Sequence, residues 1–207
     1  MSLRFAFSLS SSFALALVSV SAFGGPVVPA EMTASAQMQV ESGMLDGCGL
    51  RVVAVAKDQS TTVTAIDFSF NFYRSGTSLL KAGVRVAAMS DRKAMQASQV
   101  RQISNFWVRV VGKPAATPNK VGIIKSDSPK GYLFYGASSE DVAPLFGAAL
   151  GGQPLQVGVR FAGEDIDRIY SGIVKDTGED FAEVSRCIDE LIAAMSKDVE
   201  TVPAKGK

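Results

Sequence analysis

The chain has 207 residues, of which 21 are Lys or Arg, 20 are Asp or Glu and none is His. Balanced charge speaks against a polybasic surface for nucleic acid or anionic membrane, which depends on an excess of Lys and Arg. The lack of histidine removes the commonest general base and transition-metal ligand, and with them every Ser-His-Asp or Cys-His nucleophile.

At the amino end, residues 1–4 give a short positive start with Arg4, and residues 5–23 hold only apolar residues and serines. This is the order of parts in a cleavable secretory signal. The richest apolar stretch, 13–20, falls short of the about 20 residues that a membrane-spanning helix needs. Small residues at Ala22 and Gly24 suit a signal peptidase, so the mature chain is expected to begin near Gly25, in a periplasm or a secreted pool. No stable membrane span is expected after cleavage. Residues 45–48, Leu-Asp-Gly-Cys, have the look of a lipoprotein box. Glu31 and Glu41 separate them from the apolar core of the signal, so they are not read as an anchor.

Residues 25–44 mix Pro26, Pro29, small polar residues and methionines without sustained periodicity, and read as an extended leader. A single domain is expected over 45–196, with a flexible tail over 197–207. The nearly continuous apolar run at 50–56 predicts a buried strand. Residues 66–72 alternate Ile66, Phe68, Phe70 and Phe72 with polar neighbours, which places one face in the core and one in water. After a turn at 75–77, Leu80, Ala82, Val84, Val86 and Ala88 resume the alternation, and the two segments predict a hairpin. Residues 90–104 fit either a short helix or the approach to a strand.

Residues 106–111 read as a strand with Phe106, Val108 and Val110 opposed to Trp107, Arg109 and Val111. A second hairpin is expected from 121–124 and 132–135 around the Pro- and Gly-bearing turn 127–131. Ser138 or Ser139 can cap a helix over 140–150, with acids in its first turn and Gly151 and Gly152 ending it. Leu155, Val157, Val159 and Phe161 alternate as a strand, and 169–174 are its expected partner after a turn at Glu164 and Asp165. Asp176 with Glu179 suggests a capping box for a last helix with Phe181, Val184, Ile188, Leu191 and Met195 at helical spacing. The fold class expected is mainly β (α+β): an antiparallel β-sandwich or curled sheet with one short internal helix and one C-terminal helix.

Cys48 and Cys187 are the two cysteines. In an oxidising compartment they are expected to form one disulfide, with Gly47 and Gly49 leaving room for close approach. Two distant cysteines cannot complete a zinc site, and no metal or cofactor is expected. Ser78 and Lys81 match the S-x-x-K spacing of penicillin-recognising enzymes, but in a strand positions three apart face opposite ways. Glu164, Asp165 and Asp167 could form a glycosidase pair or touch calcium, although a solvated turn explains them. Phe68, Phe70, Phe72 and Phe161 could line an apolar carrier pocket.

No catalytic residue is assigned. The candidate binding residues are Trp107, Arg109, Tyr73 and Tyr135, because amphipathic aromatics and arginine concentrate in interface hot spots. For Trp107 a core position is the first expectation. On an exposed face beside Arg109 it becomes the leading contact.

Residues 146–152, Phe-Gly-Ala-Ala-Leu-Gly-Gly, then Leu155-Gln156-Val157, then Phe181 with Leu191, give a feature order that resembles the invasion-associated locus B type of periplasmic protein. The resemblance covers the C-terminal third and implies an exported β-sandwich with a host-interaction role. No functional residue is carried over from it. The function expected is that of a noncatalytic exported binding or accessory protein that contacts another protein or a cell-envelope component. The alternatives are a histidine-free envelope hydrolase and a carrier of a small apolar ligand.

Amino-terminal sequencing of protein exported by a secreting host is expected to begin between Phe23 and Pro26. Intact Met1 on the exported material would contradict the signal reading.

Overall fold

The computed structural model describes residues 25–58, 62–88, 98–115, 123–124 and 132–201. The signal segment, the turn at 127–131 and residues 90–97 of the undecided stretch 90–104 lie outside the described residues. Among the described residues, eleven strands form one sheet: β1 (Val27–Pro29), β2 (Glu31–Glu41), β3 (Met44–Asp58), β4 (Thr62–Tyr73), β5 (Ser78–Ala88), β6 (Gln99–Arg101), β7 (Ile103–Val110), β8 (Ile123–Ile124), β9 (Tyr132–Ala137), β10 (Pro154–Phe161) and β11 (Arg168–Lys175). Two helices, α1 (Ser139–Leu150) and α2 (Asp180–Thr201), complete the element order.

The strand order is β7-β10-β11-β2-β3-β4-β5-β9-β8, with β1 added to β11 and β6 to β5. The two ends of this order approach each other, since the Tyr135 ring on β9 packs 4.8 Å from the Phe106 ring on β7. The result is a curled, nearly closed barrel-like sheet. Its pairings are antiparallel except β11 with β2 and β1 with β11, which run parallel.

Alternation along the strands sets the inside. Ile66, Phe68 and Phe70 on β4, Leu80, Ala82 and Val84 on β5, and Leu155, Val157, Val159 and Phe161 on β10 are all buried. The apolar run at 50–56 also alternates: Leu50, Val52, Ala54 and Ala56 are buried, whereas Val55 is 39% exposed. Burying such side chains contributes about 1.5–3 kcal/mol each, and only the concave face can take all of them.

Residues 25–44 are not a leader outside the fold. β2 pairs with β3 from Glu31↔Val55 to Glu41↔Met44, and Met32 and Ala34 sit in the core. The leader reading failed because small and polar residues interrupt the apolar alternation that usually marks a strand. At the other end α2 continues to Thr201, past the expected limit at 196.

Helix α1 begins at the expected cap. The Asp141 N–H donates to Ser138 Oγ at 3.1 Å, and the helix ends at Gly151, followed by Gly152 at φ +65°. It buries Val142, Leu145, Phe146, Ala148 and Ala149. The Phe146 ring meets Phe70 edge-on at 4.7 Å and stacks on Phe72 at 5.0 Å.

Helix α2 packs on β2 and β3 with Val184, Cys187 and Leu191 inward. Its amino end departs from a capping box. The Asp176 carboxylate accepts the N–H groups of Gly178 and Phe181, while Asp180 Oδ1 accepts the Ala36 N–H of β2 at 2.9 Å.

Cys48 on β3 and Cys187 on α2 are disulfide-bonded, with Cα atoms 5.8 Å apart. Gly47 and Gly49 serve the opposite face from the one expected. A Cβ on Gly49 would stand 1.7 Å from Asn71 Oδ1, and one on Gly47 3.1 Å from the Tyr73 ring.

Removing the bridge with a Cys48→Ala/Cys187→Ala pair is expected to lower stability by about 2–5 kcal/mol, as a long closed loop implies. Urea unfolding measures this. An unchanged midpoint, or two alkylated thiols in nonreduced protein from an oxidising compartment, would refute the stabilising bond.

Candidate functional site

On β7, Phe106, Val108 and Val110 point into the core, and Trp107 and Arg109 therefore stand on the outer face, half-buried. The first expectation for Trp107, a core position, is corrected by this parity. Both faces of the segment carry large apolar residues, so the sequence alone could not say which was inside.

Trp107 lies directly across from Gly158 of β10. With no side chain there, the indole settles onto the sheet, and a Cβ on Gly158 would come within 2.1 Å of the ring. The indole N–H donates to Asp167 Oδ2 at 2.8 Å, and Arg160 Nε donates to Asp167 Oδ1 at 2.8 Å. On the other side, the Arg109 guanidinium stands 4.9 Å from the Trp107 ring centroid, and its Nε donates to Gln156 Oε1 at 2.8 Å. The cation–π contact is worth about 0.5–1 kcal/mol at such an exposed position. The Arg160–Asp167 pair is partly exposed and contributes at most about 1 kcal/mol. Their main effect is positional: the ring is held in one orientation from three sides.

Tyr135 does not join this face. It is 6% exposed, points inward against Phe106, and donates its hydroxyl to Asn105 Oδ1 at 3.2 Å. Burial raises its pKa above the usual phenol value. The aromatic run at 132–135 cannot be phased by inspection, since Tyr132 and Tyr135 fall on opposite faces of the same strand. Tyr73 is half-buried at the end of β4 over Gly47, and its hydroxyl accepts from Gln39 Nε2 at 3.0 Å. In the strand order β4 stands five places from β7. Of the four candidates, only Trp107 and Arg109 are brought together. Gln156, Gly158, Arg160 and Asp167 complete their surroundings and were not singled out as contacts. The only signal in the sequence was the alternation of 155–161, which already put 156, 158 and 160 on a common face.

A second polar group lies on the outer face of β3, β4, β5 and β9. Arg51 forks onto Asp67 at 2.9 and 2.7 Å, and Tyr132 donates to Asp67 Oδ2 at 3.0 Å. Lys81 Nζ stands 4.2 Å above the Tyr132 ring. Burial, followed by the neighbouring Asp67 carboxylate, pushes the Tyr132 pKa up, and the Asp67 hydrogen bond raises that of Arg51. These groups satisfy one another.

The other arrangements weighed in the sequence come apart. Ser78 is buried on the inner face of β5, while Lys81 is on the outer face. Glu164 is held by Arg101 and by Arg168, and Asp167 by Arg160 and Trp107. Phe68, Phe70 and Phe161 are buried, with Phe146 against Phe70. Phe72 borders a groove of ≈ 190 Å³ with Ile188, Leu191 and Ile192. A larger cavity of ≈ 680 Å³ lies between α1 and the end of β7. Its Asp141 is already engaged with Ser138 as the helix cap. No family model, curated protein or solved structure matches the chain.

Gly158→Ala is expected to lift the indole off the sheet and break its bond to Asp167, at a cost of about 1–3 kcal/mol for the overpacked contact. Trp107 is the only tryptophan, so a red shift of its emission reports the displacement. Unchanged emission and stability would show that the ring does not rest there.

Proposed function

We propose that the chain is a noncatalytic binding or accessory protein of the periplasm or the secreted pool. The outer face of β7 and β10, centred on Trp107 and Arg109, contacts another protein or a cell-envelope component. The observation that carries this reading is the posture of Trp107. A tryptophan left only partly buried on an outer sheet face rests against Gly158, donates its N–H to Asp167 and carries the Arg109 guanidinium over its ring. Pre-ordering a large side chain removes part of the entropy cost of binding, and Trp and Arg are among the residues enriched at binding hot spots. The disulfide and the signal-like amino end favour an oxidising compartment, and the resemblance of the C-terminal third to invasion-associated locus B type proteins is in keeping with export. A hydrolase reading has less support, since Ser78 and Lys81 face opposite ways.

Native crosslinking in a secreting host, with attached molecules identified, tests the proposal. Trp107→Ala is expected to weaken capture by roughly thirtyfold, corresponding to about 2 kcal/mol, while the protein stays folded. Equal capture by wild type and by folded Trp107→Ala and Arg109→Ala variants would refute this face as the contact.

A further inference from the structure

We infer that the open cavity between α1 and the end of β7 binds a short aliphatic peptide by its two free termini. This is a second site, independent of the Trp107 face.

The cavity holds ≈ 680 Å³, within the range of about 300–1,000 Å³ that small-molecule sites occupy. Helix α1 turns Glu140, Pro144, Gly147 and Ala148 toward it, residues that share one face at helical spacing. Two of the four are poor choices for a helix interior, proline the worst of all residues and glycine the next. Packing does not require the glycine. Gly147 has no positive φ, and a Cβ on it would meet nothing within 4 Å. A larger side chain there would simply occupy the cavity. Pro144 has no N–H, so the Glu140 carbonyl lacks its regular helical donor. The face thus gives up helix stability, and what results is open space with a backbone acceptor at its edge.

The walls set the chemistry of the ligand. Val110, Leu145 and Ala148 supply an aliphatic lining. No aromatic side chain lines the cavity among the described residues, so a sugar ring or a nucleobase has nothing to stack on. Of the two acids at the start of α1, Asp141 is committed to the Ser138 cap. That leaves Glu140 on the helix wall and Lys113 on the wall formed by the turn after β7, neither with an ion-pair partner among the described residues. One uncommitted charge of each sign beside an aliphatic lining matches a zwitterion. Its ammonium meets the Glu140 carboxylate and carbonyl, and its carboxylate meets the Lys113 ammonium. A ligand of one sign would leave one of these two groups unmatched. A cavity of this volume is on the order of 9 Å across, about three residues of extended chain, which makes the zwitterion a tripeptide with its aliphatic side chains against Val110 and Leu145.

Isothermal titration of the mature protein with the tripeptide Ala-Leu-Ala tests this, with its N-acetylated and C-amidated forms as controls. One equivalent of the free tripeptide is expected to bind, and either cap should weaken it at least tenfold. Lys113→Ala should weaken the free tripeptide tenfold yet leave the amidated form unchanged, and Glu140→Gln should do the same with the acetylated form. Gly147→Leu should abolish binding while the melting temperature holds or rises, since leucine is the better helix former. Three results would overturn the inference: no binding of the free tripeptide at millimolar concentration, equal binding of free and capped forms, or binding retained by folded Gly147→Leu.

Discussion

Ile66, Phe68 and Phe70 send three large side chains to one side of β4 while Asp67, Ser69 and Asn71 go to the other, and the neighbouring strands repeat this division. A flat sheet with one apolar face would leave that face in water, at a cost of about 25 cal/mol for each Å² exposed. Curling brings the apolar face against itself, and α1 fills what the strands leave open through Phe146. The contact between Phe106 and Tyr135 marks where the two ends of the sheet meet. Once β7 is committed to that seam by Phe106, the residue after it has no choice of side. Trp107 is outside because Phe106 is inside.

The C-terminal helix depends on the same curl. Its stripe of Val184, Cys187 and Leu191 needs a surface to cover, and β2 with β3 supplies it. Two covalent and polar ties fix its position: the Cys48–Cys187 bond toward its middle and the Asp180 contact to the Ala36 backbone at its start. Strand β2, which reads as featureless in sequence, is therefore both a central strand of the sheet and half of the platform for the helix. The parallel contact between β11 and β2 is only two residue pairs long, and it links the β7-β10-β11 portion to the rest of the sheet. The outer face that carries Trp107 belongs to that portion.

At the proposed binding face, absence of a side chain matters as much as presence. Gly158 gives the indole a floor, and Asp167, from the turn before β11, reaches back to hold both the indole and Arg160. Each of these interactions is weak alone. Together they restrict one ring to one orientation, which is how a partly exposed surface becomes pre-ordered for a ligand without deep burial.

Local pattern determined most of the strands, both helices and the Ser138 cap, because alternation and capping depend on residues only a few positions apart. The pairing of the two cysteines was also legible, from their number and the oxidising compartment that the amino end suggests. Residues 25–44 were missed, since a strand interrupted by small polar residues is recognisable only from its partner, here β3. Sequence could not choose between a sandwich and a curled sheet, nor find the parallel pairings, because both depend on contacts between strands distant in the chain. The same limit applies to the site. Trp107 and Arg109 are two residues apart and could be paired by inspection, whereas Gln156, Gly158, Arg160 and Asp167 reach them only through the register of β10 against β7. Tyr135 and Trp107 both sit in segments apolar on both faces, so which ring is buried and which is presented was decided by sheet closure alone.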